Sequence, residues 1–204
     1  MERIRPGIEL PLHEIADRPF DFAALFPGCD RVECEIGFCS ALFLTEYANR
    51  NPRTGILGIE KKHAYFLRGL HNLERKLKQD NVKAVEFDAR SVIEMLVPAS
   101  SLDTLHVYFP DPWPKKRHHK RRLLQPAFVH ALALRLAPGG YLHAATDWED
   151  YAQEMLATFA GEPLLVNTVP GFAPRPPWRP QTKFETRGMR LGHGVFDLVF
   201  RRGV

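Results

Sequence analysis

Apolar residues follow two different spacings along this chain, and the two spacings alternate. Between residues 64 and 78, Phe66, Leu70, Leu73 and Leu77 recur every three or four positions, which predicts an amphipathic helix. Short apolar runs that end at glycine, proline or a charged residue indicate strands instead. The strand rule predicts strands at 31–36, 54–59, 82–87, 104–109, 141–146, 164–169 and 195–201. The helical spacing predicts helices at 42–49, 64–78, 92–96, 128–136 and 149–160, with Pro138-Gly139-Gly140 closing the fourth.

This alternation of strands and helices is typical of βαβ units, so we expect an α/β fold built on a parallel sheet. No break in composition marks a second domain, and residues 1–204 are predicted to form one domain. Residues 1–30 contain four prolines and are expected to be irregular. Residues 170–180 contain five prolines, which indicates a stiff loop across one face of the sheet.

Acidic residues follow the predicted strands at the edge where such folds bind ligands. In an open parallel sheet, ligands bind outside the carboxyl ends of the strands. The acidic residues at these ends are Glu35, Glu60, Asp88, Asp111 and Asp147. Loops at random would rarely supply so many carboxylates to one edge. We therefore expect the binding site to lie among these residues.

The loop after the first strand separates the possible cofactors. Glu60 follows Gly37 by 23 residues, near the spacing at which an acidic residue holds ribose hydroxyls in dinucleotide-binding folds. The run from Gly37 to Ala41, however, contains a single glycine. A dinucleotide pyrophosphate needs several bare backbone N–H groups, which argues against an oxidoreductase that uses NAD or FAD. S-adenosylmethionine (SAM) has no phosphates and fits better, because side-chain carboxylates and a few amides can hold it.

Positive charge is concentrated in one segment of the chain. The formal net charge is +4, and Lys115–Arg122 reads KKRHHKRR, with six formal positive charges; removing these six leaves −2. Such a dense basic octet is typical of a surface that binds nucleic-acid phosphates, the alternative being an ordinary solvated run. Asp111 lies four residues before the octet, between Pro110 and Pro112, which stiffen its backbone. Trp113 adds an aromatic ring on which a base can stack.

Other classes of protein are excluded by composition. No run approaches the roughly 18 apolar residues that span a bilayer, and the first residues lead into no apolar run of signal-peptide length, so we expect a cytoplasmic protein without a membrane partner. Cys29, Cys34 and Cys39 offer no C-x-x-C pair and are odd in number, which excludes a disulfide framework. The histidines on predicted helices lack partners at metal-binding spacing, so no metal is expected.

Four motifs together resemble one known family. The run FPDPWPKKRHHKRR, preceded by EIGF and followed by TDWEDYA and TKFETRGMRLGHG, is similar to the bacterial tRNA (guanine-N7)-methyltransferases over residues 31–202. The PDPW run with its basic octet and the TKFE-x-RG segment are specific to that family. The resemblance implies a class I, Rossmann-like fold: a doubly wound, mostly parallel, seven-stranded sheet with an antiparallel last strand. It also implies methyl transfer from SAM to N7 of a variable-loop guanosine in tRNA.

The resemblance also implies roles for individual residues. Beside Gly37, whose missing Cβ lets the backbone approach a ligand, the SAM site would be lined by Glu35, Glu60, Asp88 and Asp111. Asp111 would also be the catalytic residue. Substrate and RNA contacts would come from Lys115, Arg117, His118, His119, Lys120, Arg121, Arg122 and Asp147. In the loop 170–194 the substrate-binding residues would be Thr182, Lys183, Phe184 and Glu185.

The chemistry of guanine agrees with this interpretation. N7 carries a lone pair and no proton, so its attack on a methyl group needs no general base. The ring becomes more positive as the methyl group arrives. A fixed carboxylate can orient the guanine through its N–H donors and stabilise the developing charge. We therefore predict that Asp111 orients the base and stabilises charge.

The chain departs from the family pattern in one place. Where the family reads E-I-G-F-G-x-G, this chain has Cys39 and Ala41 in place of the second and third glycines. Each added Cβ costs about 1 kcal/mol or more if the glycine conformation is kept. The interpretation we favour is a local shift of the backbone with modestly weaker SAM binding. The other is poor cofactor affinity, which keeps open an RNA-binding protein on a methyltransferase scaffold without turnover. Both a monomer and a homodimer remain open.

Overall fold

The structure, a computed structural model of the chain, describes residues 7–11, 18–181, 185 and 194–204. Its strands, numbered in chain order, are β1 (Arg31–Ile36), β2 (Thr54–Glu60), β3 (Val82–Glu86), β4 (Leu102–Tyr108), β5 (Leu136–Thr146), β6 (Leu165–Asn167) and β7 (Phe196–Arg202). They form a seven-stranded sheet in the order β3-β2-β1-β4-β5-β7-β6. β7 is antiparallel to both of its neighbours, and the other strand pairs are parallel. The predicted fold class is therefore confirmed.

Helices connect the strands in the order that the sequence pattern predicts. They are α1 (Phe22–Leu25), α2 (Leu42–Arg50), α3 (His63–Lys76), α4 (Ala89–Met95), a 3-10 helix (Lys116–Arg121), α5 (Pro126–Arg135) and α6 (Glu149–Ala160). The predicted helices and strands all occur, and their ends lie within three residues of the prediction except at the start of β5. Within the described ranges, none of the helices has the length and apolar character needed to cross a membrane.

The start of β5 is the point where the sequence prediction is wrong. Pro138-Gly139-Gly140 does not close the preceding helix, because α5 ends before Leu136, whose ψ of 142° is already extended. Leu136 pairs with Leu102 on β4, and the register then shifts before the regular pairing resumes. A Cβ at Gly140 would lie 2.9 Å from the carbonyl oxygen of Asp103. These glycines therefore allow an irregular first half of a strand.

Two apolar clusters cover the two faces of the sheet. Ile56 belongs to the cluster formed with α2 and α3, whereas Leu57 and Ile59 belong to the larger cluster formed with α4, α5 and α6. Neighbouring residues of a strand point to opposite faces, so this division is that of a sheet covered on both sides. Burial on both faces explains why the parallel strands read as nearly continuous apolar runs.

The described part of residues 1–30 is more ordered than the sequence predicts. The N–H of Leu10 donates to the carbonyl of Ala84 at 2.8 Å, and the N–H of Ala84 donates to that of Ile8 at 2.7 Å. This segment therefore covers the free edge of β3. Phe20 and Phe26 of the same segment are buried in the larger apolar cluster.

Candidate active site

The strand order brings the predicted acidic residues to one edge of the sheet. Glu35 lies next to the end of β1, and Glu60 is the last residue of β2. Asp88 follows β3 as the N-terminal cap of α4. Asp111 and the half-buried Asp147 follow β4 and β5. The registers of β1 with β2 and with β4 set these strand ends level, so the carboxyl edge is acidic as predicted.

Glu35 is a buried carboxyl group with an unused oxygen. The residue is 5% exposed, and its Oε2 has no hydrogen-bond partner in the described part of the chain. Burial, together with the nearby charge of Glu60, raises the pKa of Glu35 to about 8. Buried polar atoms in folded proteins are nearly always paired. The free oxygen therefore marks a place where a ligand can supply a donor or a positive charge.

Glu60 holds the loop that follows β1. Its Oε2 accepts a hydrogen bond from the backbone N–H of Cys39 at 3.1 Å. Its Oε1 accepts one from the N–H of Lys62 at 2.9 Å. Gly37 in the same loop has φ of 81°, and a Cβ built there would meet nothing within 4 Å. The acidic pair therefore faces a loop with open space beside its glycine.

Cys39 and Ala41 keep the backbone conformation that suits glycine. Their φ angles are 46° and 53°, in the left-handed region. Ala41 is the cap of α2 and makes no side-chain capping bond. Neither residue is therefore relieved of the left-handed conformation, and each Cβ is strained by an amount on the order of 1 kcal/mol.

The carboxylate of Asp88 is engaged by the protein. Its Oδ1 accepts from the N–H groups of Arg90 and Ser91 at 3.0 and 3.3 Å and caps α4. Its Oδ2 lies 3.0 Å from Nζ of Lys61. Burial acts to raise the pKa of Asp88, but the hydrogen bonds from Lys61 and the backbone outweigh it and hold the pKa below its usual value. A ligand at Asp88 would therefore meet an ionised carboxylate with Lys61 beside it.

Asp111 lies on a strained loop and its carboxylate is open to solvent. Phe109 and Trp113 have φ angles of 51° and 45°, which is unusual for bulky residues. The side chain of Asp111 is 65% exposed, and its Oδ2 lies 3.7 Å from Nζ of Lys62. Lys62 also donates its N–H to Glu60, so the two carboxylates share a neighbour. Backbone strain of this kind concentrates at functional sites.

The ring of Trp113 is covered by neighbouring side chains. The guanidinium of Arg121 lies 5.0 Å from the ring centre, and the ring of His118 contacts it edge-on at 5.9 Å. The expected stacking of a base on Trp113 would require these groups to move. Trp148 and Trp178 are the more exposed tryptophans, at 37% and 46%.

Most of the basic octet faces solvent, whereas its last residue does not. The exposed cations are Lys115, Lys116, Arg117, Lys120 and Arg121, and His118 and His119 are half-buried. Arg122 is fully buried, donates to Asp150 at 2.6 Å and pairs with Glu154 on α6. The prediction that Arg122 contacts RNA is therefore wrong, because its guanidinium anchors the 3-10 helix to α6.

The C-terminal motif is only partly within the described residues. Thr182, Lys183 and Phe184 lie outside them. Glu185 is buried, and its two oxygens accept from Arg179 at 2.8 and 3.0 Å. The prediction that Glu185 binds substrate does not fit this arrangement, because both oxygens are already engaged inside the protein.

A buried set of polar residues that was not predicted from the sequence lies beside this motif. It comprises Glu33, His106, Tyr108, His143, Asp197 and Arg179, most of them at most 2% exposed. A signal was present, because His106 and Tyr108 are two apart on β4 and His143 is the partner of His106 on β5. Across the described ranges, none of the clusters of His, Cys, Asp and Glu is arranged to hold a metal ion.

Comparison with known sequences identifies relatives of the whole chain. Residues 30–198 match the family described as "Putative methyltransferase". The tRNA (guanine-N(7)-)-methyltransferase of Bordetella pertussis is 55% identical over 187 residues, which are 92% of this chain and 73% of that protein. The enzyme of the same name from Aromatoleum aromaticum is 50% identical over 202 residues, which are 99% of this chain and 76% of that protein.

Solved structures share the fold at low sequence identity. The 16S rRNA methyltransferase KamB has a TM-score of 0.64 and 16% identity, over 91% of this chain and 95% of that one. Phosphoethanolamine N-methyltransferase 2 of Haemonchus contortus, solved with SAM, has a TM-score of 0.56 and 10% identity, over 86% and 49%. The family model matches residues 30–198, and the two enzymes named above are 55% and 50% identical to this chain over most of its length. The chain therefore belongs to the tRNA (guanine-N7)-methyltransferase family.

Proposed function

We propose that this protein transfers the methyl group of SAM to N7 of a variable-loop guanosine in tRNA. The observation that supports this most directly is the position of Asp111. Its exposed carboxylate lies at the acidic carboxyl edge of the sheet, four residues before the exposed cations of the basic octet. A base and the phosphates beside it can therefore be bound by adjoining parts of one loop.

The residues at the acidic edge fit SAM. The unpaired Oε2 of Glu35 is an acceptor without a donor, and the cofactor carries both positive charge and hydrogen-bond donors. The open space beside Gly37 leaves room for a ligand against the backbone. Glu35, Gly37, Glu60 and Asp88 would hold the cofactor, which supplies an electrophilic methyl group when bound. Glu60 also fixes the amide of Cys39, so part of the loop is arranged in advance.

Asp111 would orient the guanine and stabilise the charge that the ring gains. The prolines on both sides restrict the backbone that carries the Asp111 carboxylate, and Nζ of Lys62 lies 3.7 Å from its Oδ2. Fixed charges of this kind stabilise a transition state without reorganising during the reaction. Holding N7 in line with the methyl group lowers the barrier further by orientation alone. No residue has to remove a proton from N7, so no general base is assigned.

The exposed part of the basic octet would hold the tRNA backbone. Its five exposed cations lie on or next to the 3-10 helix that follows the Asp111 loop. Arg122 fixes this helix to α6 through Asp150 and Glu154. Neutralising phosphates with lysine and arginine releases counterions, which makes such binding strong at low salt.

The substitution Asp111→Asn tests this proposal. It keeps the shape of the side chain and removes its charge, so the single-turnover rate of N7-methylguanosine formation on unmodified tRNA should fall about 100-fold or more. Asp30→Asn is the matched control, because Asp30 is an exposed aspartate just before β1, at the opposite edge of the sheet. An unchanged rate in Asp111→Asn, with tRNA and S-adenosylhomocysteine still bound, would contradict the role of Asp111.

A further inference from the structure

Buried side chains form a continuous hydrogen-bonded chain across four strands of the sheet. Oε2 of Glu33 lies 2.7 Å from Nε2 of His106. The hydroxyl of Tyr108 lies 2.8 Å from Nδ1 of His106 and 2.9 Å from Nδ1 of His143. Nε2 of His143 lies 2.8 Å from Oδ1 of Asp197. We call these five residues, on β1, β4, β5 and β7, the buried chain.

The buried chain ends on the residues that hold the C-terminal motif. Arg179 donates to both oxygens of Asp197 at 2.8 and 2.9 Å and to both oxygens of Glu185. Its guanidinium also lies 5.9 Å from the ring centre of Tyr108 and 5.7 Å from that of Phe109. Phe109 begins the loop that carries Asp111. The buried chain and Arg179 therefore connect the packing of Glu185 to the loop that carries Asp111.

The hydrogen atoms of the buried chain can be assigned one contact at a time, starting from Asp197. Asp197 accepts from Arg179 and can only accept from His143, so Nε2 of His143 carries a hydrogen. Burial lowers the pKa of His143 to about 4, so this ring is neutral and its Nδ1 is bare. The hydroxyl of Tyr108 must then donate to His143, and burial raises the pKa of Tyr108, which keeps this hydrogen in place.

The two contacts of His106, with Tyr108 and with Glu33, then need one hydrogen more than a neutral imidazole ring supplies. Because Tyr108 donates to His143, its oxygen accepts from His106, so Nδ1 of His106 carries a hydrogen. The 2.7 Å contact between Nε2 of His106 and Glu33 still needs a hydrogen of its own. Two neutral histidines, a tyrosine and two ionised carboxylates supply three hydrogens for four contacts. The fourth resides on His106 or on Glu33.

Polar and aromatic side chains surround the contact between Glu33 and His106. Tyr47 donates its hydroxyl to Oε1 of Glu33 at 3.1 Å, and Arg31 lies 3.9 Å from the same oxygen. The ring of Phe43 packs on His106 with centres 4.6 Å apart. Glu35 also interacts electrostatically with Tyr108, but its own raised pKa of about 8 leaves it uncharged at neutral pH.

We propose that the buried chain retains one proton shared by Glu33 and His106, and that His106, Tyr108 and His143 are positioning residues that hold Arg179 and Glu185 through Asp197. The effect on tRNA rests on the proposed function; the bound proton does not. Without this proton, one of the four contacts would be an approach of two acceptors. Breaking a link of the buried chain should loosen the packing of Arg179, so the KM for tRNA should rise while kcat changes little.

The substitution Glu33→Gln removes the need for the extra proton and keeps the hydrogen bonds of the buried chain. The amide of glutamine can donate to Nε2 of His106 while its oxygen still accepts from Tyr47. All four links are then made without the extra proton. We expect Glu33→Gln to fold and to keep the wild-type KM for tRNA.

The substitution Tyr108→Phe breaks the chain at its centre, since both histidines lose their partner. An unpaired buried group costs enough to weaken tRNA binding about tenfold, seen as a rise in KM without a matching fall in kcat. Tyr141→Phe, on β5 and partly exposed, is the control for loss of a hydroxyl. Affinity for S-adenosylhomocysteine should be unchanged in all three variants.

Nitrogen NMR of the histidine rings reads the proton directly. In the wild type, His143 should be the neutral Nε2–H form, and Nδ1 of His106 should carry hydrogen at neutral pH. A neutral His106 with hydrogen only on Nε2 would overturn the bound proton. Wild-type KM for tRNA in Tyr108→Phe would overturn the positioning role. A protein that shows these ring states yet methylates no tRNA would refute the proposed function alone.

Discussion

Cofactor binding should depend on pH through Glu35, and the structure sets the size of the effect. Burial and the charge of Glu60 raise the pKa of Glu35 from 4.5 to about 8. The free protein therefore holds this carboxyl group protonated at neutral pH. Ionising it in the absence of a ligand costs about 5 kcal/mol relative to an exposed glutamate. A ligand that donates to the carboxylate must displace the proton.

The affinity for S-adenosylhomocysteine should therefore rise with pH and then level off. Below a pKa of about 8, the apparent Kd should weaken up to about tenfold for each step of one in pH. Between pH 8 and pH 6 the loss should be about 50-fold. The amino and carboxyl groups of the ligand keep their charges over most of this interval, so the change reports on the protein.

Isothermal titration calorimetry is the assay. At pH near 7, in two buffers of different ionisation enthalpy, binding should release close to one proton. Glu35→Gln is the control, since it cannot titrate and should give a Kd independent of pH and no proton release. A wild-type Kd that stays flat between about pH 6 and 8, with no proton exchanged, would refute the reasoning.

The same group should affect the stability of the free protein. A carboxyl group whose pKa is raised by folding binds its proton more tightly in the native state than in the unfolded state. The contribution of Glu35 to the free energy of unfolding is therefore favourable at low pH, and it is lost as pH rises from about 4.5 through about 8. Urea unfolding at several pH values should show this decline in the wild type, and Glu35→Gln should lack it.

Three further predictions concern the strained loop and the basic octet. Cys39→Gly should raise the free energy of unfolding by about 1 kcal/mol, measured by thermal unfolding, because φ of 46° suits glycine; Cys39→Ala keeps the Cβ and should show no gain. The log of tRNA affinity should fall linearly with the log of salt concentration, and Arg117→Ala should reduce that slope by about 1; an unchanged slope would remove Arg117 from the RNA surface. Arg122→Ala should instead lower the free energy of unfolding by about 2 kcal/mol, because it leaves Asp150 and Glu154 without their buried partner; wild-type stability in urea unfolding would contradict the anchoring role.

The fold and the acidic edge were predictable because they depend on local pattern and on one general rule. Strand β1 occupies the predicted residues 31–36, since its burial and its ends are visible in the sequence. Once the strands are parallel, their carboxyl ends share an edge, and this rule alone brings Glu35, Glu60 and Asp111 together. This prediction requires only that each acidic residue follows a strand, and it requires no knowledge of side-chain contacts.

The sequence could not show which side chains are used up inside the protein. Arg122 and Arg117 belong to the same octet, yet Arg122 is buried because α6 places Asp150 and Glu154 beside it. Glu185 is likewise engaged by Arg179. The backbone at Cys39 follows the surrounding fold, although its residue type favours another conformation. Each of these depends on contacts between distant segments, which a local pattern does not encode.

The most direct test of the proposed activity is the product itself. The protein would be incubated with unmodified tRNA and SAM that carries an isotope-labelled methyl group, and the digested tRNA would be analysed by mass spectrometry. We expect the label in N7-methylguanosine from a variable-loop position, with little product from Asp111→Asn. Tight tRNA binding without label, or label on another atom, would contradict the proposed activity.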